Sequence, residues 1–144
     1  MRRLIVFLLM LSCIFMLTGC NKAVKITVPD NVSMVSIAPY DSEKMSFCYT
    51  DTEKVQVFVD YIQNLTPSET KEEVYLYAGM NYIITLHCSD GTTTKYEHYG
   101  NLFFRQENGV WGDIPYEQAS KLELLLKEYE PDIPAENPLF KNVQ

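Results

Sequence analysis

The side chains with the greatest potential for chemistry are clustered at His87, Cys88, Asp90, Glu97 and His98. Imidazole and thiolate groups are the ligands that zinc and copper ions prefer. Successive residues of a strand point to opposite faces of a sheet, so His87 and Cys88 should diverge, and His98 should share a face with Cys88. The chain has only two histidines. We therefore predict no metal site and no cofactor, and interpret these residues as polar positions of strands.

Two strand-like runs, MNYIITLHC and TTTKYEHY, carry these residues and are joined through Ser89-Asp90-Gly91. A type I turn followed by Gly91 in the left-handed conformation would close a three-residue hairpin loop. This loop predicts three cross-strand pairs: Leu86 with Thr94, Ile84 with Tyr96, and Tyr82 with His98. A second hairpin is predicted to turn at Asn108-Gly109. The sheet should therefore be antiparallel and built from neighbours in sequence.

Two segments have the period of amphipathic helices. The apolar positions of the first are Val55, Phe58, Val59, Ile62 and Leu65. Thr50 and Glu53 have the spacing of a capping box at its start. The second helix should begin near Pro115 and bury Ala119, Leu122, Leu125, Leu126 and Tyr129. This order predicts an α+β fold, with a single antiparallel sheet of about four to six strands and the two helices packed on one face.

The N-terminal residues have the layout of a secretory signal peptide. Arg2 and Arg3 precede an apolar run, Leu4 to Leu17. As a helix this run would cover only about 21 Å, whereas the hydrocarbon core of a bilayer is about 30 Å thick, so a permanent span is disfavoured. The run ends in Leu17-Thr18-Gly19-Cys20, which resembles the lipobox of bacterial lipoproteins.

This resemblance implies that Cys20 acquires a thioether-linked diacylglycerol and becomes the mature N-terminus. Residues 1–19 would then be the lipoprotein signal peptide, 20–23 the acylated N-terminus and a short tether, 24–130 the globular domain, and 131–144 an extended tail that contains prolines. Two acyl chains anchor a protein stably. The expected location is the cell membrane, lipid-anchored, on the extracytoplasmic side.

The charge of the mature chain limits the class of partner. Removing Arg2 and Arg3 leaves 10 of the 12 basic residues against 19 acidic ones, a net charge of −9. This balance argues against binding to nucleic acid, and it provides no electrostatic attraction to an anionic lipid surface. The expected partners are the membrane, through the lipid anchor, and an unknown protein or cell-wall ligand.

Cys48 and Cys88 both lie in strand-like runs and would remain after processing. They would be either two buried free thiols or a disulfide, which the compartment beyond the membrane permits. A disulfide requires Cα atoms within about 7 Å of each other. A catalytic role for Cys88 is not expected, because a nucleophilic cysteine needs an exposed cleft with a partner that stabilises the thiolate.

Aromatic residues define the candidate binding surface. Tyrosine combines a large apolar area with a polar tip, which is favourable at interfaces. If the helices cover one face of the sheet, the other face is the best candidate for a functional surface. The predicted surface residues are Tyr75, Tyr77, Tyr96, His98 and Trp111. The alternative is that strands favour aromatic residues and that about half of the tyrosines pack in the core.

The sequence contains no Gly-x-Ser-x-Gly elbow, no His-Glu-x-x-His helix and no phosphate-binding loop. We therefore predict that the protein is not an enzyme but a membrane-anchored, non-catalytic binding or interaction module. The alternative is an extracytoplasmic enzyme or enzyme inhibitor acting at the cell envelope. Residues 40–130 are also similar in layout to small Gram-positive lipoproteins of unknown function, a resemblance that implies no catalytic residues.

Overall fold

A computed structural model of the protein describes residues 22–40 and 46–133. Its two helices are α1 (Thr52–Gln63) and α2 (Tyr116–Glu128), and a short 3-10 turn covers Val74–Leu76. The strands are β1 (Val32–Pro39), β2 (Phe47–Tyr49), β3 (Ser68–Glu69), β4 (Tyr82–Cys88), β5 (Thr93–Tyr99), β6 (Phe103–Gln106) and β7 (Gly112–Asp113). The predicted signal peptide, Cys20 and residues 134–144 of the predicted tail lie outside the described residues. Within the described ranges, no helix has the length and apolar character needed to cross a membrane.

The strands form one sheet in the order β2-β1-β4-β5-β6-β7-β3, and every neighbouring pair is antiparallel. The prediction of an α+β fold with an antiparallel sheet is confirmed. The predicted four to six strands were too few, because the sheet has seven within residues 22–40 and 46–133. Strands β3 and β7 have only two residues each. Such short strands show no alternation of apolar and polar residues from which they could be recognised.

The hairpin between β4 and β5 has the predicted register. Leu86 lies opposite Thr94, Ile84 opposite Tyr96, and Tyr82 opposite His98. Gly91 has a φ of 86°, and its N–H donates to the carbonyl oxygen of Cys88 at 3.0 Å. The left-handed conformation is accessible to glycine because no Cβ opposes it.

One face of the sheet, which we call the helix face, packs against both helices. Its buried strand residues are Val35, Ile37, Ile84, Leu86, Tyr96 and Phe104. The residues that α1 and α2 contribute to the same core include Val55, Phe58, Ile62, Ala119 and Leu122. The alternate positions of the strands point to the opposite side, which we call the open face.

Helix α1 begins one residue later than the predicted capping box. The cap is Asp51, whose Oδ1 accepts hydrogen bonds from the N–H groups of Glu53 at 3.0 Å and Lys54 at 3.2 Å. Thr50 instead donates its N–H to Oδ2 of Asp132 at 2.7 Å. The Thr50–Glu53 spacing was therefore a misleading signal, since an aspartate one residue later satisfies the free N–H groups of the helix.

The described ends of the chain cover the two edges of the sheet. Ala23 forms an antiparallel bridge with Ser68 of β3, and Ile133 forms one with Cys48 of β2. Asp132 also accepts a hydrogen bond from the ammonium group of Lys54, and this contact with other hydrogen bonds holds the pKa of its carboxyl group well below the usual range. The domain contacts therefore extend beyond the predicted limits of 24 and 130.

Cys48 and Cys88 are both free thiols. They lie on β2 and β4, which are separated by β1, and their partners on β1 are Ser36 and Val32 respectively. Strands are about 4.8 Å apart and rise about 3.3 Å per residue, so this arrangement is incompatible with the Cα separation of a disulfide. The structure does not form the Cys48–Cys88 bridge that the sequence left open.

Asp51→Ala should lower the free energy of unfolding by about 1 kcal/mol, because two N–H groups at the start of α1 lose their acceptor. Thr50→Ala is the matched control and should change it by less than about 0.5 kcal/mol, since its backbone N–H keeps its bond to Asp132. Urea unfolding followed by circular dichroism measures both. Equal losses in the two variants would contradict the assignment of Asp51 as the cap.

Alkylation with iodoacetamide in denaturant, without a reductant, should modify both Cys48 and Cys88, because neither is bonded to the other. In the native protein Cys48 should react faster than Cys88, since Cys88 is only 6% exposed. Peptide mass spectrometry identifies the modified positions. Recovery of a peptide pair cross-linked through these two residues would contradict the strand order.

Candidate functional site

The predicted surface residues are divided between the two sides of the sheet. Tyr96 and His98 are completely buried on the helix face. Their inclusion in an exposed surface was wrong, because residues 95, 97 and 99 are the positions of β5 that point to the open face. Tyr75 and Trp111 are brought into ring contact, with centroids 6.3 Å apart. Tyr77 packs on Phe103, an open-face residue of β6, at 4.9 Å.

A guanidinium–carboxylate pair lies at the centre of the open face. Arg105 of β6 donates to Glu97 of β5 through Nε at 2.9 Å and through Nη2 at 2.8 Å. The guanidinium group also stacks on the ring of Trp111, with its central carbon 4.2 Å from the ring centroid. Bidentate pairing and stacking both restrict rotation of the guanidinium group. The carboxylate of Glu97 is therefore held in a fixed orientation.

Four aromatic rings lie beside this pair: Tyr40, Tyr75, Tyr99 and Trp111, which we call the aromatic cluster. Tyr99 contacts each of the other three, at centroid distances of 5.9 Å to Tyr40, 5.4 Å to Tyr75 and 6.1 Å to Trp111. These contacts are edge-to-face, the arrangement that the charge distribution of aromatic rings favours. The cluster forms a continuous aromatic border along one end of the open face.

The segment that supplies Tyr75 and Tyr77 is held against the turn between β5 and β6. Gly79 has a φ of 153°, and a Cβ atom at this position would lie 2.9 Å from the Cα of Gly100. The N–H of Gly100 donates to Oδ1 of Asn81 at 2.8 Å. Only glycine at position 79 allows the two backbones to approach this closely.

Next to the aromatic cluster, the open face contains a groove of 280 Å³ lined by Tyr40, Ile83, Lys95, Glu97 and Glu107. We call this the open-face groove. Burial, followed by the negative charge of Glu97, raises the pKa of the Tyr40 hydroxyl. A hydrogen bond of this hydroxyl to the carboxylate of Glu97 contributes to the same shift of the pKa. The groove combines an ammonium group, two carboxylates and an aromatic wall, which suits recognition of a polar ligand with some apolar surface.

The two histidines point to opposite sides of the sheet. On the open face, Nε2 of His87 is hydrogen-bonded to the hydroxyl of Ser36 at 2.9 Å, and burial lowers the pKa of His87. His98 lies on the helix face. Among the residues that the structure describes, no three His, Cys, Asp or Glu side chains are close enough together to hold a metal ion.

His98 occupies an unusual position in the core. Both ring nitrogens are buried and have no hydrogen-bond partner among the described residues. The ring packs against Phe104 at a centroid distance of 6.1 Å. Burial lowers the pKa of His98 to about 4, and the negative charge of Glu123 on α2 opposes this shift. The imidazole is therefore neutral at pH 7 and unsuited to a binding surface.

The chain does contain a Ser-x-x-Lys sequence, Ser68 to Lys71, contrary to the expectation that no catalytic motif of this kind is present. In several hydrolase families this spacing brings a serine hydroxyl to a lysine amine. Here Ser68 belongs to β3, which ends at Glu69, and not to a helix, whose period would bring residues three apart onto one side. The local structure therefore gives this match no catalytic geometry.

The residues that form the open-face groove were not predicted as a site. Lys95 and Glu97 alternate with the buried positions of β5, and a stricter use of the predicted register would have identified them. Glu107 and Tyr40 could not be found in this way, because each lies just beyond the end of its strand. Comparison of the chain with protein-family models, with curated proteins and with solved structures found no match.

The stability of the domain should fall as the pH is lowered from about 6.5 to about 4. His98 binds a proton near pH 6.5 when unfolded but only near pH 4 when folded, so the unfolded state binds more protons across this range. Its contribution to the free energy of unfolding should fall by about 2 kcal/mol between pH 7.5 and pH 5.

His98→Leu should remove this part of the pH dependence, whereas His87→Gln should retain it. Urea unfolding at the two pH values measures the difference. Because His98→Leu could prevent folding, the NMR titration of the imidazole protons in the unmodified protein provides a second measurement. A midpoint at or above pH 6.5 for His98 would contradict its burial as a neutral ring.

Proposed function

We propose that this chain is a lipid-anchored protein on the extracytoplasmic side of the cell membrane. In this proposal it acts as a non-catalytic binding module, whose ligand is a protein or a cell-wall component. The observation that carries the proposal is the open-face groove, with its fixed carboxylate, its ammonium group and the aromatic cluster beside it. The lipid anchor follows from the lipobox resemblance at Leu17-Thr18-Gly19-Cys20.

The fixed geometry of the groove supports a binding role. The side chains of Arg105 and Glu97 are only 21% and 14% exposed, so their pairing is shielded from water on one side. A ligand that contacts Glu97 meets a carboxylate already held in place, and less conformational entropy is lost on binding. Lys95, two residues before Glu97 on the same face of β5, adds a positive charge with which a ligand carboxylate could pair.

The chemical character of the groove favours a ligand that combines polar groups with apolar faces. A peptide segment or a sugar polymer has both, since aromatic rings stack on apolar faces while charged groups bind the polar ones. Both ligand types are present at the outer side of a bacterial membrane. The net charge of −9 in the mature chain supports neither nucleic acid nor another strongly acidic polymer as the ligand.

The test is photo-crosslinking with the full chain produced in a bacterial host. A benzoyl-phenylalanine residue placed at Glu107, on the border of the groove, should form a discrete adduct with a protein or with cell-wall fragments. The matched control is the same residue at Lys121, an exposed position of α2 on the other side of the sheet. Adducts from the control alone, or from neither position, would contradict the proposal.

Charge reversal gives a quantitative form of this test. Lys95→Glu should reduce adduct formation at position 107 about tenfold, because a ligand carboxylate would meet a third negative charge. Lys121→Glu makes the same change in net charge away from the groove and should have no effect. Sedimentation with purified peptidoglycan separates the two ligand classes, since only a cell-wall ligand would carry the protein into the pellet.

A further inference from the structure

We propose that one end of the open face rests in the lipid–water interface of the membrane. The contact surface consists of Tyr75, Leu76, Tyr77, Val110 and Trp111, which we call the apolar rim. This inference rests on the lipid anchor at Cys20 from the proposed function, and it adds a second point of contact. The partner is a phospholipid surface, and the contact would orient the open-face groove relative to it.

Several large apolar and aromatic side chains of the apolar rim are exposed. Leu76 is 78% exposed, Tyr75 60%, Val110 56% and Tyr77 38%. Leu76 lies between the two tyrosines in sequence, and the ring of Tyr75 contacts that of Trp111. Scattered apolar residues on a surface need no explanation, but a group joined by contacts is typical of an interaction site.

The position of the first described residues connects this rim to the proposed lipid anchor at Cys20. Val24 donates its N–H to the carbonyl of Pro67 at 2.8 Å, and Lys22 accepts from the N–H of Glu69 at 2.7 Å. The segment from Val24 back to Lys22 therefore runs antiparallel to residues 67–69, which include β3. The next residue, Thr70, donates its N–H to the carbonyl of Trp111 at 3.1 Å. The described chain begins beside the rim and is directed towards its Trp111 end.

The remaining distance is short. Lys22 is bonded to Glu69, which lies opposite Gly112 in the sheet. Strands are about 4.8 Å apart, so Lys22 lies about 10 Å from Gly112, the residue that directly follows Trp111. Cys20 is two residues before Lys22, a reach of at most about 7 Å. The acyl chains would therefore enter the bilayer within about 20 Å of the rim. A polar interfacial layer of about 5–7 Å on each side of the hydrocarbon core can accommodate the exposed rings.

The residue types of the rim match this environment. Tyrosine and tryptophan are enriched at membrane–water interfaces, where the ring contacts the acyl boundary and the polar group remains hydrated. The hydroxyl of Tyr77 donates to Glu72 at 3.1 Å, which keeps its polar end outside. Glu72 and Glu73 are exposed beside the rim, so an anionic lipid would be repelled. The contact should therefore form with zwitterionic phosphatidylcholine and should be insensitive to salt.

Trp111 is the only tryptophan of the chain, so its fluorescence reports directly on the rim. The test uses the full chain, produced in a bacterium that acylates it and reconstituted in phosphatidylcholine vesicles. Bromine atoms near the headgroup end of the acyl chains should quench the emission about twofold. Quenching by acrylamide from the water should be about threefold weaker in vesicles than in detergent-free denaturant.

Leu76→Asp should cut the quenching by brominated lipid about threefold, because a carboxylate at the rim opposes insertion. The matched control is Leu124→Asp on α2, where the replaced leucine is similarly exposed at 59%. The control should leave the quenching unchanged. Circular dichroism and urea unfolding establish that both variants remain folded.

Mass spectrometry of Cys20 separates failure of the anchor from failure of the rim contact. Absence of the diacylglycerol group would overturn the lipid-anchored function and this inference together. An acylated protein whose Trp111 is quenched by acrylamide and not by brominated lipid would overturn the inference alone. Shielding of Trp111 that depends on protein density, and not on brominated lipid, would assign the rim to contact with a second copy and would also overturn it.

Discussion

The register of the β4–β5 hairpin determines which residues lie in the core on the helix face and which lie on the open face. Gly91 fixes the loop, and the loop fixes which residues of the two strands face α1 and α2. A shift of one residue would place Lys95 and Glu97 in the core and Tyr96 in water. Since β4 and β5 lie near the middle of the sheet, their alternation also determines the faces of the neighbouring strands.

Two polar side chains of β5 are buried on the helix face, Tyr96 and His98, and they differ in their hydrogen bonding. The hydroxyl of Tyr96 is satisfied by the carbonyl of Thr27 at 2.6 Å, so a segment outside the sheet contributes to this part of the core. His98, two residues further along the same strand, has no such partner among the described residues. The same strand therefore contains one buried polar group that stabilises the fold and one that depends on staying uncharged.

Much of the fold could be predicted because its strongest signals are local. The Ser89-Asp90-Gly91 loop and the helical spacing of Val55, Phe58 and Ile62 each involve residues close in sequence. The errors arose where partners are distant. Strands β3 and β7 are defined only by their pairing with each other and with neighbouring strands. Thr50 has the spacing of a helix cap, but its N–H binds Asp132, which is distant in sequence. The open-face groove likewise combines residues from distant segments, and its final members, Tyr40 and Glu107, follow no periodic pattern.

Two segments at the limits of the described residues, at Ala23 and Ile133, also protect the backbone of the sheet. Ala23 and Ile133 occupy hydrogen-bonding positions along the outer strands β3 and β2. An uncovered outer strand offers its N–H and carbonyl groups to strands of other molecules. These two segments therefore reduce the tendency of the sheet edges to pair with other molecules. A fragment of residues 24–130 would retain both helices and the main strands. It would lose the bridges at Ala23 and Ile133, so the outer strands β3 and β2 would expose N–H and carbonyl groups to other molecules.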